Sequence, residues 1–139
     1  MNIRVQDVAL LLGRIGIAVV FFAHGLQKWN SGVSATGDMF SQIGIPLPTV
    51  SAFLVIVLEL LGSIAFVAGF LLPVVAIGYA IDMAGALFSV HLSHGLTGEG
   101  GYELVLLLGL TSLALGFASG RLALDNVIFK RRAKELQNA

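Results

Sequence analysis

Apolar residues along this chain fall into four long blocks separated by short polar breaks. About 20 apolar residues at ~1.5 Å each suffice to cross a bilayer core, so blocks of this length predict membrane-spanning helices. The pattern predicts helices over residues 8–29, 50–72, 73–92 and 102–119. Residues 30–49 are too polar to span, and a short interfacial helix is expected over 35–43, ended by Gly44 and Pro46. Thr49 or Ser51 is the expected cap of the second helix. Gly69 and Pro73 mark a break so short that the second and third helices must form an antiparallel hairpin. The fold class is therefore all-α: an integral membrane antiparallel four-helix bundle over residues 1–121, followed by a basic cytoplasmic tail over 122–139.

Composition strengthens the membrane reading. Of the 139 residues, 57% are hydrophobic and only 12% charged, where a soluble domain is nearer a quarter charged. The first apolar run carries Arg14 and no small-residue cleavage site follows it, which argues against a signal peptide. The absence of cysteine excludes disulfides, thiolate nucleophiles and Cys-ligated zinc or iron–sulfur clusters within the chain. Basic residues set the orientation: Arg4 lies at one end and Arg121, Lys130, Arg131, Arg132 and Lys134 at the other, while the loops over 30–49 and 93–101 hold none. Both termini are thus expected in the cytoplasm. Lys28 and Trp29 read as membrane-interface anchors, and Lys130, Arg131 and Arg132 as contacts to anionic headgroups in the lipid bilayer rather than to nucleic acid.

Three charges fall inside the predicted spans: Arg14, Glu59 and Asp82. Glu59 stands alone in its apolar run, and a carboxylate there costs roughly 2.5–3.5 kcal/mol on insertion scales, so it needs a partner or a proton. Counted from the helix ends, all three lie at similar depths, and an Arg14–Glu59 pair with Asp82 nearby is expected. One cation against two acids leaves one carboxyl over, protonated or exchanging its proton. Two readings stand side by side: a structural ion pair that fixes helix register, or a polar pocket for a proton or a lipid-like ligand's head. Small residues recur at every fourth position, Ala76, Ala80 and Ala84 on the third helix and Ser112, Gly116 and Gly120 on the fourth, which suits close helix packing.

A second polar group gathers toward the outer side: His24, Lys28, Trp29, His91, His94, Glu99, Tyr102 and Glu103. Histidine and carboxylate are sound metal ligands, but no HExxH or matched ligand set is present, so no metal is assigned and interface histidines or a proton relay are preferred. His91 falls opposite Asp82 in helical phase, so both can face inward only if the helix bends. Gly98–Gly101 lacks a preceding strand and a Lys-Ser/Thr, and reads as a turn rather than a phosphate loop.

Several stretches together resemble the DoxX family of small four-helix membrane proteins. Arg14 followed by His24-Gly25-Leu26-Gln27-Lys28 is similar to its R…G…HG..K pattern, and Gly44–Pro48 precedes the second helix. Glu59 with Gly62 and Gly69 is similar to its E..GG…G motif, with Ser63 replacing the second glycine. Asp82-Met83-Ala84 stands where the family typically has no charge, and Tyr102-Glu103-Leu104 followed by Gly120…Asp125 resembles its ending. The resemblance implies a multi-pass protein of the bacterial plasma membrane, linked with redox assemblies, some of them quinone-linked and others formed with soluble partners under thiol stress. No cofactor is assigned; a bound quinone is the candidate, beside another cofactor or a partner protein. Arg14, Glu59 and Asp82 are expected to line the ligand or proton pocket, with His24 and Glu103 at its mouth, and no catalytic residue is assigned. The alternatives are a non-catalytic accessory or scaffold subunit, docking protein partners or copies of itself, and a small transporter or proton pathway.

Overall fold

The computed structural model describes residues 3–128, which are all helix and loop. Helix α1 spans Val5–Ser31, α2 Val33–Gln42, α3 Pro48–Ala68, α4 Leu72–Ala86 and α5 Glu103–Phe117. Helix α4 continues without interruption into a π-helical turn, Leu87–His91, and a 3-10 turn, Leu92–His94. Three helical stretches, Val5–Ser31, Pro48–Ala68 and Leu72–His94, are long and apolar enough to cross a membrane; Glu103–Phe117 is apolar but shorter. Their outward side chains are large and apolar, among them Val19, Phe22, Leu61, Ile64, Leu107 and Leu110. Side chains of this kind over whole helix faces suit lipid, whereas water would disfavour so broad an apolar surface.

Lipid tails are as apolar as leucine, so burial alone does not drive these helices together and close backbone approach must do more of the work. Helix α1 packs chiefly on α3, and α4 on α5. At the first contact a Cβ on Gly25 would lie 2.8 Å from the Glu59 Cβ. At the second, a Cβ on Gly116 would overlap the Ala76 Cβ, so the small-residue stripes on these two helices do meet. Phe21, Phe66, Leu72, Val75, Ala76, Tyr79, Leu108 and Ala123 form the buried apolar cluster between the pairs.

Helix ends differ from expectation by a few residues. Leu47, in the left-handed region at φ 48, precedes Pro48 and caps α3; Thr49 and Ser51 do not cap it. Ser51 lies one turn inside and donates its hydroxyl to the Pro46 carbonyl at 2.7 Å. Gly69 (φ 74) ends α3 and Leu71 (φ 50) opens α4, so the hairpin turns through two left-handed residues.

The expected tail boundary at residue 122 is corrected by the packing. The carbonyl of Leu122 accepts a hydrogen bond from Arg14 Nη2 at 3.0 Å, and Ala123 is fully buried. Asp125 accepts from the Leu71 and Leu72 amides at 2.8 and 2.9 Å, capping the otherwise unsatisfied start of α4 from another part of the chain. Its own amide donates to the Gly69 carbonyl at 2.9 Å. Asp7, in the first turn of α1, accepts from the Arg4 and Arg121 amides at 2.9 and 2.8 Å. This segment is a clasp that joins α1, the α3–α4 hairpin and the end of α5. Lys130, Arg131 and Arg132 lie outside the described residues.

Candidate functional site

Glu59 is buried to 1% exposure, and its partner is Lys28. The ammonium donates to Oε1 and Oε2, each at 2.8 Å. The local cause is Gly25: without a side chain there, α3 settles against α1 at Glu59, and Lys28, one turn on along the same face, reaches the carboxylate with its flexible stem. Lys28 is thus an internal counter-ion, not only an interface anchor, and the expected Arg14–Glu59 pair is absent. The physical reason is level. Arg14 lies about 21 Å below Lys28 along α1, and Gly69, against which Arg14 packs, lies about 15 Å from Glu59 along α3. An arginine side chain cannot bridge such a distance. Arg14 belongs to the clasp and does not line the cavity beside Glu59.

That cavity measures about 630 Å³ and lies among α1, α2, α3, α4 and α5. Glu59, Asp82, His24 and Glu103 all line it, so four of the five expected pocket residues share one space. Lys28 joins them. The remaining wall is mainly apolar and includes Phe21, Phe40, Val55, Ile81, Leu104 and Leu108. A second, more open cavity of about 400 Å³ shares His24, Lys28 and Met39 with the first and adds Gln27, Ser31, Ala35 and Thr36. Its polar lining continues the site along the α1–α2 junction.

Helix α2 roofs part of this space. Lys28 lies near the end of α1 yet meets Glu59 well inside α3, so α3 projects past α1 by about 12 Å. Helix α2 packs along that projection: a Cβ on Gly37 would be 3.1 Å from the Thr49 Cα, and Phe40 is buried. Met39 and Phe40 then face the cavity.

The π-helical turn resolves the conflict between Asp82 and His91. Widening the helix over Leu87–His91 changes its phase, and both residues line the cavity. His91 Nδ1 lies 2.8 Å from the Gly100 carbonyl, which fixes the ring against the following loop. Asp82 lines the same cavity as Glu59. Its Oδ2 is sealed from solvent and has no hydrogen-bond partner among the described residues.

One polar side chain was not singled out from the sequence. Tyr79 is fully buried, stacks on Phe21 with ring centroids 3.7 Å apart, and places its hydroxyl 3.0 Å from Ser63 Oγ. Ser63 in turn donates to the Glu59 carbonyl. The signal was its spacing: Tyr79 lies one turn before Asp82 on the same face of α4. Lys28 had a similar signal, since it lies about 40° from Arg14 in helical phase, on the face already assigned inward. Among the described residues no group of three His, Asp or Glu side chains could hold a metal ion.

Chemically, the arrangement is an apolar chamber with a cation–carboxylate pair and a second acid on its wall. Such a chamber suits an amphipathic ligand with a small polar head. A ring carbonyl or hydroxyl needs a donor, and the ammonium of Lys28 has three N–H groups, two of them used by Glu59. The third N–H and the His24 ring are polar groups left on an otherwise mainly apolar wall.

The family model described as DoxX matches residues 9–92. A Bacillus subtilis protein named "Putative oxidoreductase CatD" is 33% identical over 125 residues, covering 89% of this chain and 90% of the relative. The Mycobacterium tuberculosis "Uncharacterized membrane protein Rv3486" is 32% identical over 131 residues, covering 85% and 80%. The Escherichia coli "Inner membrane protein YphA" is 27% identical over 94 residues, covering 68% and 66%. No solved structure matches the chain.

Proposed function

The chain belongs to the DoxX family of membrane proteins, and on that footing we propose that it is a redox-complex subunit holding a quinone-type ligand beside Lys28 and Glu59. One observation carries the reading: a hydrogen-bonded ion pair, its carboxylate buried and its lysine partly exposed, faces a mainly apolar cavity of about 630 Å³ instead of packed side chains. The word oxidoreductase in the name of the Bacillus subtilis relative lends support. When bound, a quinone supplies two-electron, two-proton chemistry. The chain's own part is to position the head through Lys28 and His24, to exclude bulk water with α2 and the apolar wall, and to hold protons at Glu59 and Asp82. With no cysteine, this chain cannot pass electrons through thiols of its own, so a partner protein delivers or removes them.

The finer architecture belongs to the same reading. Helices α1, α3, α4 and α5 form an antiparallel four-helix bundle in the bacterial inner membrane. Both termini face the cytoplasm, because Arg4 and Arg121 sit at the clasp end while the loops at the cavity end hold no Lys or Arg. The word "inner" in the Escherichia coli relative's name agrees.

The test is quinone binding to protein in detergent or nanodiscs. Lys28→Met and Glu59→Gln should each weaken binding at least tenfold while the helical content and unfolding midpoint show an intact fold. Unchanged affinity in both folded variants would overturn the assignment.

A further inference from the structure

The two helices of the α3–α4 hairpin touch near their turn and part farther along, and the cavity occupies the space between them. On α3, Gly62, Leu58, Val55 and Ser51 are spaced by four and three residues and so share one stripe. The two nearer the turn meet α4. A Cβ on Gly62 would lie 3.3 Å from Val75 Cγ1, and one on Gly78 would lie 2.9 Å from Leu58 Cδ1. The two farther out, Val55 and Ser51, line the cavity instead. The facing stripe of α4 repeats the pattern. Beyond Gly78 it continues through Ile81, Asp82 and Gly85, and all three line the cavity. A Cβ on Gly85 would have nothing within 4 Å, about 10 Å along α4 from the tight contact at Gly78.

This gap reaches the lipid-facing surface. Ile81 belongs to the outward row of α4 with Val74, Ile77 and Phe88 and is 67% exposed, yet it also lines the cavity. At ~100° per residue, Asp82 lies on the inner edge of the α4 stripe, Ile81 on the outer edge and Gly85 between them. The outer rim is apolar. Val55 and Ile81 edge it, and Ser51, whose hydroxyl is spent on the Pro46 carbonyl, ties to it the connection that carries Ile43 and Ile45. The polar side chains His24, Lys28 and Glu103 stand on α1 and α5. An apolar mouth on a lipid-facing surface is continuous with acyl chains, and it suits a hydrocarbon tail better than water. The cavity, at about 630 Å³, falls within the ~300–1,000 Å³ range of small-molecule pockets. A ligand with a tail of lipid length must therefore lead that tail out, and this gap is an apolar way to do so.

We propose that the parting of α3 and α4 beyond the Leu58–Gly78 contact is a lateral portal to the bilayer. The ligand it admits is a membrane-dissolved amphiphile whose head lies beside Lys28 and Glu59 and whose tail runs out past Gly85 and Ile81. The proposal rests on the quinone-type reading for the head, and adds the route of entry and the long-tailed class of ligand. Gly85 is a specificity-determining position. Its missing side chain leaves the width that a tail needs, and a larger residue there fills the gap without meeting neighbouring atoms at its Cβ.

The experiment has two arms, both on the full chain in nanodiscs. Because the chain has no cysteine, single fluorescent reporters can be attached at Gly85→Cys, at Phe88→Cys on the lipid face and at Glu99→Cys in the exposed loop. Lipids with brominated acyl chains should quench the Gly85→Cys reporter as they quench Phe88→Cys, while aqueous iodide quenches only Glu99→Cys. Quenching of Gly85→Cys by iodide, or by neither agent, overturns the portal. The second arm compares a tailless quinone with the same head on a decyl tail. Gly85→Phe should weaken the tailed ligand at least tenfold and the tailless one by no more than about threefold. Gly16→Phe should change neither, since a Cβ on Gly16 is equally unobstructed and Gly16 does not line the cavity. An equal effect of folded Gly85→Phe on both ligands, or no effect, overturns the portal and leaves the cavity assignment standing. Lipid-type quenching at Gly85→Cys with no binding of either quinone to the wild type overturns the quinone-type head and leaves the portal standing. If Gly85→Phe fails to fold, the quenching arm decides.

Discussion

The molecule buries charge at two levels, and the two sites solve the same problem differently. At the clasp, Arg14 is 1% exposed, holds the Leu122 carbonyl, and packs so closely on Gly69 that a Cβ there would overlap its Nη1. Its Nε and Nη1 have no hydrogen-bond partner among the described residues, and Arg14 lines neither of the two cavities above. Asp125 and Asp7 are spent on backbone amides that would otherwise go unsatisfied. At the cavity, the Lys28–Glu59 pair is just as well made but abuts about 630 Å³ of space, with Asp82 on the same wall. A buried charge fitted to backbone and enclosed by side chains stabilises architecture. A buried charge on the wall of a chamber leaves capacity for a ligand.

The sharpest way to break this contrast is to remove Asp125. Asp125→Ala leaves two amides at the start of α4 without an acceptor and weakens the electrostatic support of Arg14, for an expected loss of about 3–4 kcal/mol in detergent unfolding. Gly69→Ala should follow at about 2–3 kcal/mol, combining left-handed strain with overlap on Arg14 and Ala123. Neither change should alter ligand affinity in the fraction that remains folded. An unfolding midpoint unchanged in both would remove the clasp's structural role.

At the cavity the order reverses. Lys28→Met should cost about 1–2 kcal/mol, discounted because the lysine is partly exposed, while the double variant Lys28→Met/Glu59→Leu should unfold within about 1 kcal/mol of wild type. Ligand binding should be lost in both. A double variant that fails to fold would place the pair with the architecture instead. His24→Ala and Glu103→Gln should shift stability by less than about 0.5 kcal/mol and affinity by a few-fold, since each contributes to the wall and neither joins the ion pair.

The contrast between the levels was only partly legible in the sequence. Glu59 stood out because a lone acid in an apolar run needs a partner or a proton, and His24, Asp82 and Glu103 line the same cavity. Ala76 and Gly116 were visible through their spacing. The choice of Arg14 over Lys28 failed because depth was counted from assumed helix ends. Helix α3 projects past α1, and that offset is set by Gly25 and α2, not by either helix alone. The clasp was missed because alternating polar and apolar residues after Arg121 look like a solvated tail, while the acceptors and donors they satisfy lie from 53 to 114 residues earlier. The π-helical turn leaves no periodic trace, and only the conflict between Asp82 and His91 hinted at it.

The span between Arg14 and Leu122 has a consequence for biosynthesis. The guanidinium enters the membrane with the first helix, but the carbonyl that receives it is separated by 108 residues and is synthesised near the end of the chain. Until then the first helix carries a cation with no native partner, and the start of α4 lacks its cap from Asp125. The nascent protein is therefore incomplete in a specific way until Leu122 and Asp125 have been made. A chain cut short at Ser119 would hold every long helix and still lack the Leu122 carbonyl that meets Arg14 and the Asp125 cap of α4.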